Sequence, residues 1–220
     1  MTLAVQMGGA MFGGFEQGRQ VDDATGRQNP YADNRRFREK KVSGIMKVVD
    51  LTLPMHAEME VYPGDPRPRY DLIEKFDETG WNMRRLEMNG HDGTHVNVPL
   101  HATAAGRNLD ECALGEFVGQ SVLYESDDDI KPGMGLIFHA TDISWDIARL
   151  IVEISPSFIG LPARFEFDVA IERWLLERDV ISFERLINTD QLPKTFVFHG
   201  APLKIVHGDG SPVRAYAVID

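Results

Sequence analysis

One cysteine, Cys112, stands among the 220 residues, so no internal disulfide can form. Thiol scarcity of this kind fits a reducing, cytoplasmic setting. Basic residues are also few: 23 Lys and Arg face 34 Asp and Glu, for a net charge of -11. An acidic surface repels phosphate backbones and anionic lipid, which argues against nucleic-acid and membrane partners. No apolar run approaches the roughly 18–20 residues of a membrane span. The charged start and apolar core of a secretory signal are missing too. There is no G-x-S-x-G elbow and no Gly-rich phosphate loop, which disfavours a serine nucleophile and a nucleotide site.

What remains is ordinary globular material, 43% hydrophobic and 26% charged, in a length that suits one large domain or one domain with a tail. Residues 1–44 stand apart. They hold "GGAMFGGFEQG" and then "RQNPYADNRRFREKK", and such Gly-rich and charge-rich stretches seldom build a core. They are expected to form a flexible extension, with Met46 as a candidate native start and residues 46–220 as the folded domain.

Patterning begins at Met46. "MKVVDLTL" predicts a strand, "EVYPGDPRP" a turn region, and "RRLEMNG" a strand running into residues 90–101. "VGQSVLYE" and "GLIFHA" predict two more strands. After Ser144, Ile147, Leu150, Ile151 and Ile154 recur at helical spacing, so a capped helix is expected over "WDIARLIVEI". "SFIGL" predicts a strand, "FDVAIERWLLERD" a second helix and "VISFERL" a further strand. "FVFHG", "PLKIV" and "VRAYAVI" are expected to close the chain as strands, the last two joined by the turn "HGDGSP". Strands come first and then alternate with helices, which gives an α/β or α+β class with a mixed sheet.

Three of the seven histidines fall in "GHDGTHVNVPLH", as His91, His95 and His101, with Asn97 among them. A helix is excluded by Gly90, Gly93, three β-branched residues and Pro99. In an extended chain, positions 91, 95, 97 and 101 share parity and point to one side. His91 and His95 would then lie roughly 13 Å apart at about 3.3 Å per residue, too far for one ion. The chain must therefore bend, and Gly93 supplies the bend. The result is a loop or bulge presenting imidazoles and an amide oxygen inward, a set that suits Zn²⁺ or Mn²⁺. The competing reading is a surface loop with incidental histidines.

His91-Asp92-Gly93-Thr94-His95-Val96-Asn97-Val98-Pro99-Leu100-His101 resembles the H-x-G-T-H-x-D-x-P-x-H signature of the metal-dependent cyclase family, which includes bacterial kynurenine formamidases and isatin hydrolases. "VYPGDP", "LLERDVISFERLINTDQLP" and "APLKIVHGDGSPVRAYAV" resemble three further segments of that family, in order, across about residues 46–220. The resemblance implies an α/β domain of the swivelling β/β/α type with a barrel-like mixed sheet, dimeric or higher. It implies that His91, His95 and Asn97 bind an ion, that His101 binds a second ion or acts as a catalytic group, and that Glu184 joins as a ligand. Two positions depart from the pattern: Asn97 replaces Asp, and Glu172 stands where the family has a His acid/base. Asn97 removes a negative charge from the ion's surroundings. Glu172 adds one and offers a general base, or else is an exposed helix residue.

Tyr62 and Trp81 are candidates to line an aromatic substrate pocket, as family aromatics do, or to belong to core or rim. Asp209 and Arg214 are expected to hold the closing hairpin. The function implied is metal-dependent hydrolysis of an amide or lactam C–N bond in a small molecule, with N-formylkynurenine the first candidate. A cyclase or dehydratase, or a non-catalytic metal- or ligand-binding member, are the alternatives.

Overall fold

The computed structural model describes residues 46–219. The expected extension over residues 1–44 lies outside them. Eleven strands are described: β1 (Lys47–Asp50), β2 (Arg69–Glu74), β3 (Met83–Glu87), β4 (His95–Asn97), β5 (Val118–Leu123), β6 (Gly135–Ile137), β7 (Phe158–Pro162), β8 (Ser182–Leu186), β9 (Thr195–His199), β10 (Gly210–Pro212) and β11 (Tyr216–Ile219). Three α-helices join them: α1 (Phe76–Thr79), α2 (Trp145–Ile154) and α3 (Val169–Leu176). Nine strands form one mixed sheet in the order β1-β11-β9-β5-β6-β7-β8-β4-β10. It curls into a half-barrel, so the architecture is α/β, as the family resemblance implies. Strands β2 and β3 pair only with each other. No helix among the described residues is long and apolar enough to cross a membrane.

The centre of the sheet is parallel, from β5 through β6 and β7 to β8. Helices α2 and α3 make the crossovers that parallel neighbours require. Both faces of these strands are covered, which explains their nearly continuous apolar runs. Alternation divides the side chains between two cores. Phe158, Phe183 and Phe198 pack ring to ring on one face, at centroid separations of 4.8–5.4 Å. Leu136, Ile159 and Leu161 meet Ala148, Ile151, Ile171 and Leu175 of the helices on the other.

Both helices begin at a side-chain cap, the expected Ser144 for α2 and Asp168 for α3. The Ser144 hydroxyl accepts from the Ile147 N–H, and the Asp168 carboxylate accepts from Ala170 and Ile171. These bonds satisfy N–H groups that have no partner within the helix. Ser144→Ala is expected to lower the unfolding free energy by about 1 kcal/mol, read as a shifted urea midpoint at unchanged slope.

Two expectations about the last forty residues are corrected. "PLKIV" is not a strand; it meets the sheet through the isolated bridge Pro202–Val213 and the Leu203 N–H, which donates to the Ser211 hydroxyl, and Leu203, Ile205 and Val206 are exposed. Within "HGDGSP", Gly210–Pro212 is itself strand β10, paired antiparallel with β4. Local β-propensity favours Lys-Ile-Val, but the position beside β4 demands small residues, and that tertiary requirement prevails.

Candidate metal centre

Strand β3 leads through Asn89 and Gly90 directly into His91. The Asp92 carboxylate, buried, accepts from the Asn89 N–H at 2.8 Å and fixes this corner. Gly93 then turns the chain with a left-handed φ of 66°, a conformation that strongly favours glycine. The chain straightens into β4, clamped between β8 and β10. His95 lies opposite Glu184, and Asn97 opposite both Ser182 and Gly210. A Cβ built on Gly210 would stand 2.4 Å from the His91 ring, so the glycine is the floor on which His91 lies. A 3-10 turn, Pro99–His101, brings His101 back beside His91.

The expected bend therefore exists. The His91 and His101 ring centroids are 4.0 Å apart, and those of His91 and His95 5.3 Å. The carboxylate that meets the first pair is Asp209, which the sequence reading assigned to the closing hairpin. Its Oδ2 lies 3.0 Å from His91 Nε2 and 3.3 Å from His101 Nδ1. Among the described residues, His91, His101 and Asp209 form the group whose ligand atoms all lie within 4.8 Å of one another. Asp209 immediately precedes β10, so mispairing that segment in the sequence hid its position.

His95, Asn97 and Glu184 are turned toward one another behind this group. His95 Nδ1 bonds the Gly93 carbonyl at 2.8 Å, and its Nε2 lies 3.5 Å from Glu184. Asn97 connects the two layers. Its Oδ1 bonds His91 Nδ1 at 2.7 Å, and its Nδ2 donates to Glu172 at 2.6 Å and also to Glu184. Glu172, on the first turn of α3, is thus half-buried at the site rather than exposed on the helix. Arg185, the next residue after Glu184, takes a left-handed φ of 57° where the β7–β8 register slips. Arg214 pairs with Asp50, away from the cluster. Tyr62 and Trp81 stand on the surface, 67% and 73% exposed.

Electrostatics separates the two half-buried glutamates. Burial, then the charge of Glu184, raises the Glu172 pKa well above the usual carboxylate range, so Glu172 holds a proton at neutral pH. Burial works against ionising Glu184 as well, but His95, Glu172 and Asn97 outweigh it and hold its pKa low. The two carboxyls therefore titrate as a pair sharing one proton. Burial, then His91, lowers the pKa of His101 and keeps its imidazole neutral. Burial opposes the charge on Asp209, but His91 and His101 outweigh it and lower its pKa.

These residues fit a divalent cation. Asn97 Oδ1 accepts, so His91 Nδ1 donates, and the ring's other nitrogen is aimed at a carboxylate oxygen. In a neutral ring that atom is a lone pair, and only a proton or a cation placed between makes the approach attractive. Two imidazole nitrogens and one carboxylate oxygen form a borderline donor set of the kind zinc and manganese take. The second-layer bond from Asn97 fixes the His91 tautomer, as outer partners of metal-binding histidines do.

The chain is similar over most of its length to several known proteins. The kynurenine formamidase of Salinibacter ruber is 24% identical, over 77% of this chain and 96% of its own. A Bacillus stearothermophilus protein described as a "predicted metal-dependent hydrolase" superposes with a TM-score of 0.64 at 26% identity, covering 79% of this chain and 98% of its own. Isatin hydrolase A of Labrenzia aggregata, solved with benzyl benzoate, shares the fold at a TM-score of 0.66 and 22% identity, covering 79% of this chain and 94% of its own. The family model described as "Putative cyclase" matches residues 49–159, the span that holds the bent histidine segment, and the chain belongs to that family.

Proposed function

We propose that this chain is a metal-dependent hydrolase that opens the C–N bond of an amide or lactam, with an aryl formamide such as N-formylkynurenine as first candidate. The reading places it in tryptophan breakdown, in the cytoplasm, as a homodimer or homotetramer. The observation that carries it is the convergence of His91 Nε2, His101 Nδ1 and Asp209 Oδ2. These three residues would hold a Zn²⁺ or Mn²⁺ ion. When bound, such an ion polarises a substrate carbonyl and lowers the pKa of water toward neutrality.

The chain's own groups supply the proton traffic. Glu172 holds a proton against Glu184 and Asn97, which makes it the acid for a departing nitrogen and, once ionised, a base. Asn97 joins Glu172 to His91 through one amide, and so holds the acid in register with the cluster. Glu184 stays ionised and favours the proton on Glu172. His95 donates from Nδ1 to the Gly93 carbonyl, which aims its Nε2 at Glu184, 3.5 Å away, where a proton or a cation would join the two.

The test is elemental analysis of protein purified without chelator, paired with an assay on N-formylkynurenine and formanilide. At least one zinc or manganese per chain is expected, together with hydrolysis that chelation abolishes and that metal restores. Bound metal without hydrolysis of formamides, lactones or cyclic imides would point to a cyclase or dehydratase. Absence of bound metal would leave a non-catalytic member of the family.

A further inference from the structure

Strand β8 carries one residue more than its neighbour matches. Gly160 pairs with Phe183 and Pro162 with Leu186, so two steps along β7 face three along β8. Strict alternation from Phe183 would turn Arg185 into the core where Phe183 packs on Phe158 and Phe198. The extra residue restores Leu186, fully buried, to that core and turns Arg185 out of it. The backbone bears the strain. Among the described non-glycine residues with a left-handed φ, Arg185 is the one that lies inside a strand, and such strain collects at functional sites. Thr94 holds the kink in place: its hydroxyl donates to the Arg185 carbonyl at 2.7 Å and accepts from the Leu53 N–H at 2.9 Å. Arg185 is thus tied to the residue before His95 and directly follows Glu184.

The side chain is a cation without a matched anion. It is half-buried, and its Nε is buried with no hydrogen-bond partner among the described residues. Buried donors are normally bonded, those of charged groups above all. Glu60 comes only within 3.6 Å of Nη2 and is itself 91% exposed, a pairing of little worth. Arg107 and Arg214, by contrast, make forked bonds of 2.7–3.1 Å to carboxylates. The position is close to the cluster. Glu60 follows Met59, whose methyl would stand 3.2 Å from a Cβ on Gly93. The segment that Arg185 faces therefore covers the turn between His91 and His95.

We propose that Arg185 is a specificity residue that takes the carboxylate of an anionic substrate at the rim of the metal cluster. A planar guanidinium matches the two oxygens of a carboxylate. A phosphate would call for more donors, and the sequence has no Gly-rich loop to supply them. The net charge of -11 repels anions in general, so a fixed cation at the rim is what admits one. The inference rests on the hydrolase reading and narrows it: the favoured substrates are amides or lactams that carry a carboxylate away from the scissile bond. Arg185 binds that group and takes no part in bond cleavage, so its effect falls on KM.

N-formylkynurenine and its methyl ester differ by this one charge, and the full-length, metal-loaded chain is assayed on both. Wild type is expected to favour the acid about tenfold or more in kcat/KM, the usual weight of a charge-assisted pair. Arg185→Gln should raise KM for the acid by a similar factor, with kcat nearly unchanged and the ester unaffected. Arg185→Lys, which keeps the charge and loses the fork, should fall between. Glu60→Gln should leave the acid's KM as it is. Equal kinetics for acid and ester in wild type would overturn the proposal, and so would Arg185 variants that lose both substrates alike or a Glu60→Gln chain that shares their loss. Calorimetric titration with kynurenine and its methyl ester separates binding from chemistry. A chain that hydrolyses neither formamide but binds the acid more tightly, an advantage that Arg185→Gln removes, would keep the carboxylate subsite and overturn the hydrolase reading. A chain that hydrolyses neither and binds acid and ester alike would overturn both.

Discussion

Asp209→Asn is expected to strip the chain of its divalent metal during dialysis and to slow turnover by at least about a hundredfold. The reason is charge at one atom. Asp209 Oδ2 faces His91 Nε2 and His101 Nδ1 together, and it is the carboxylate among the three grouped ligand atoms. An amide keeps the size but loses the formal charge and one acceptor. A bound ion supplies several kcal/mol of stabilisation, and each 1.36 kcal/mol lost is a factor of ten. Metal content and kcat should therefore fall together. Glu184→Gln is the matched control. Glu184 lies in the layer behind, held by His95 and Asn97, so its amide variant should keep more metal than the Asp209 variant. Residual metal near wild type in Asp209→Asn, with loss in Glu184→Gln, would return the role of ligand to Glu184, the carboxylate chosen from sequence.

Local signals were readable wherever local chemistry decides. Ser144 capped the helix it promised, and the apolar stripe of α2 faces the core. The imidazole cluster was legible because Gly93 and Pro99 exclude a helix, and shared parity then left few ways to bring the rings together. Contacts made across long stretches of chain were not legible. His91 and Asp209 are 118 residues apart, and β10 carries a Gly-Ser-Pro sequence that no strand propensity favours. Gly210 sits there because His91 leaves no room for a side chain, a reason visible only once both strands are in place.

The two departures from the family signature, Asn97 and Glu172, read separately in the sequence, become one feature in the structure. An Asp at 97 would set a third carboxylate against Glu172 and Glu184, with no N–H to join them. The Asn97 amide donates to both. An amide at 97 and a carboxyl at 172 therefore accommodate each other. The carboxyl absent from β4 reappears on α3, in the neutral, protonated form that burial and Glu184 impose.

That pairing sets the second large effect. Glu172→Gln is expected to lower kcat by about 10²–10⁴-fold, the usual contribution of a positioned acid or base, with bound metal nearly unchanged. Gln reproduces the neutral acid's shape: its oxygen accepts from Asn97 and its N–H₂ donates to Glu184, so the network survives without a transferable proton. The pH dependence has a definite sign. The raised pKa of Glu172 means that its contribution to stability is complete below the ordinary carboxylate pKa and is lost as pH rises through the folded value. The lowered pKa of Glu184 acts oppositely, with stability present above the ordinary value and lost as pH falls. Chelator-treated wild type should therefore weaken toward alkaline pH relative to Glu172→Gln, whose amide cannot ionise. Thermal melts of both proteins across neutral to alkaline pH, beside the rate profile, separate a proton carrier from a packing residue. A variant that keeps wild-type kcat while showing the altered melts would leave Glu172 a structural carboxyl and pass the acid's task to another group.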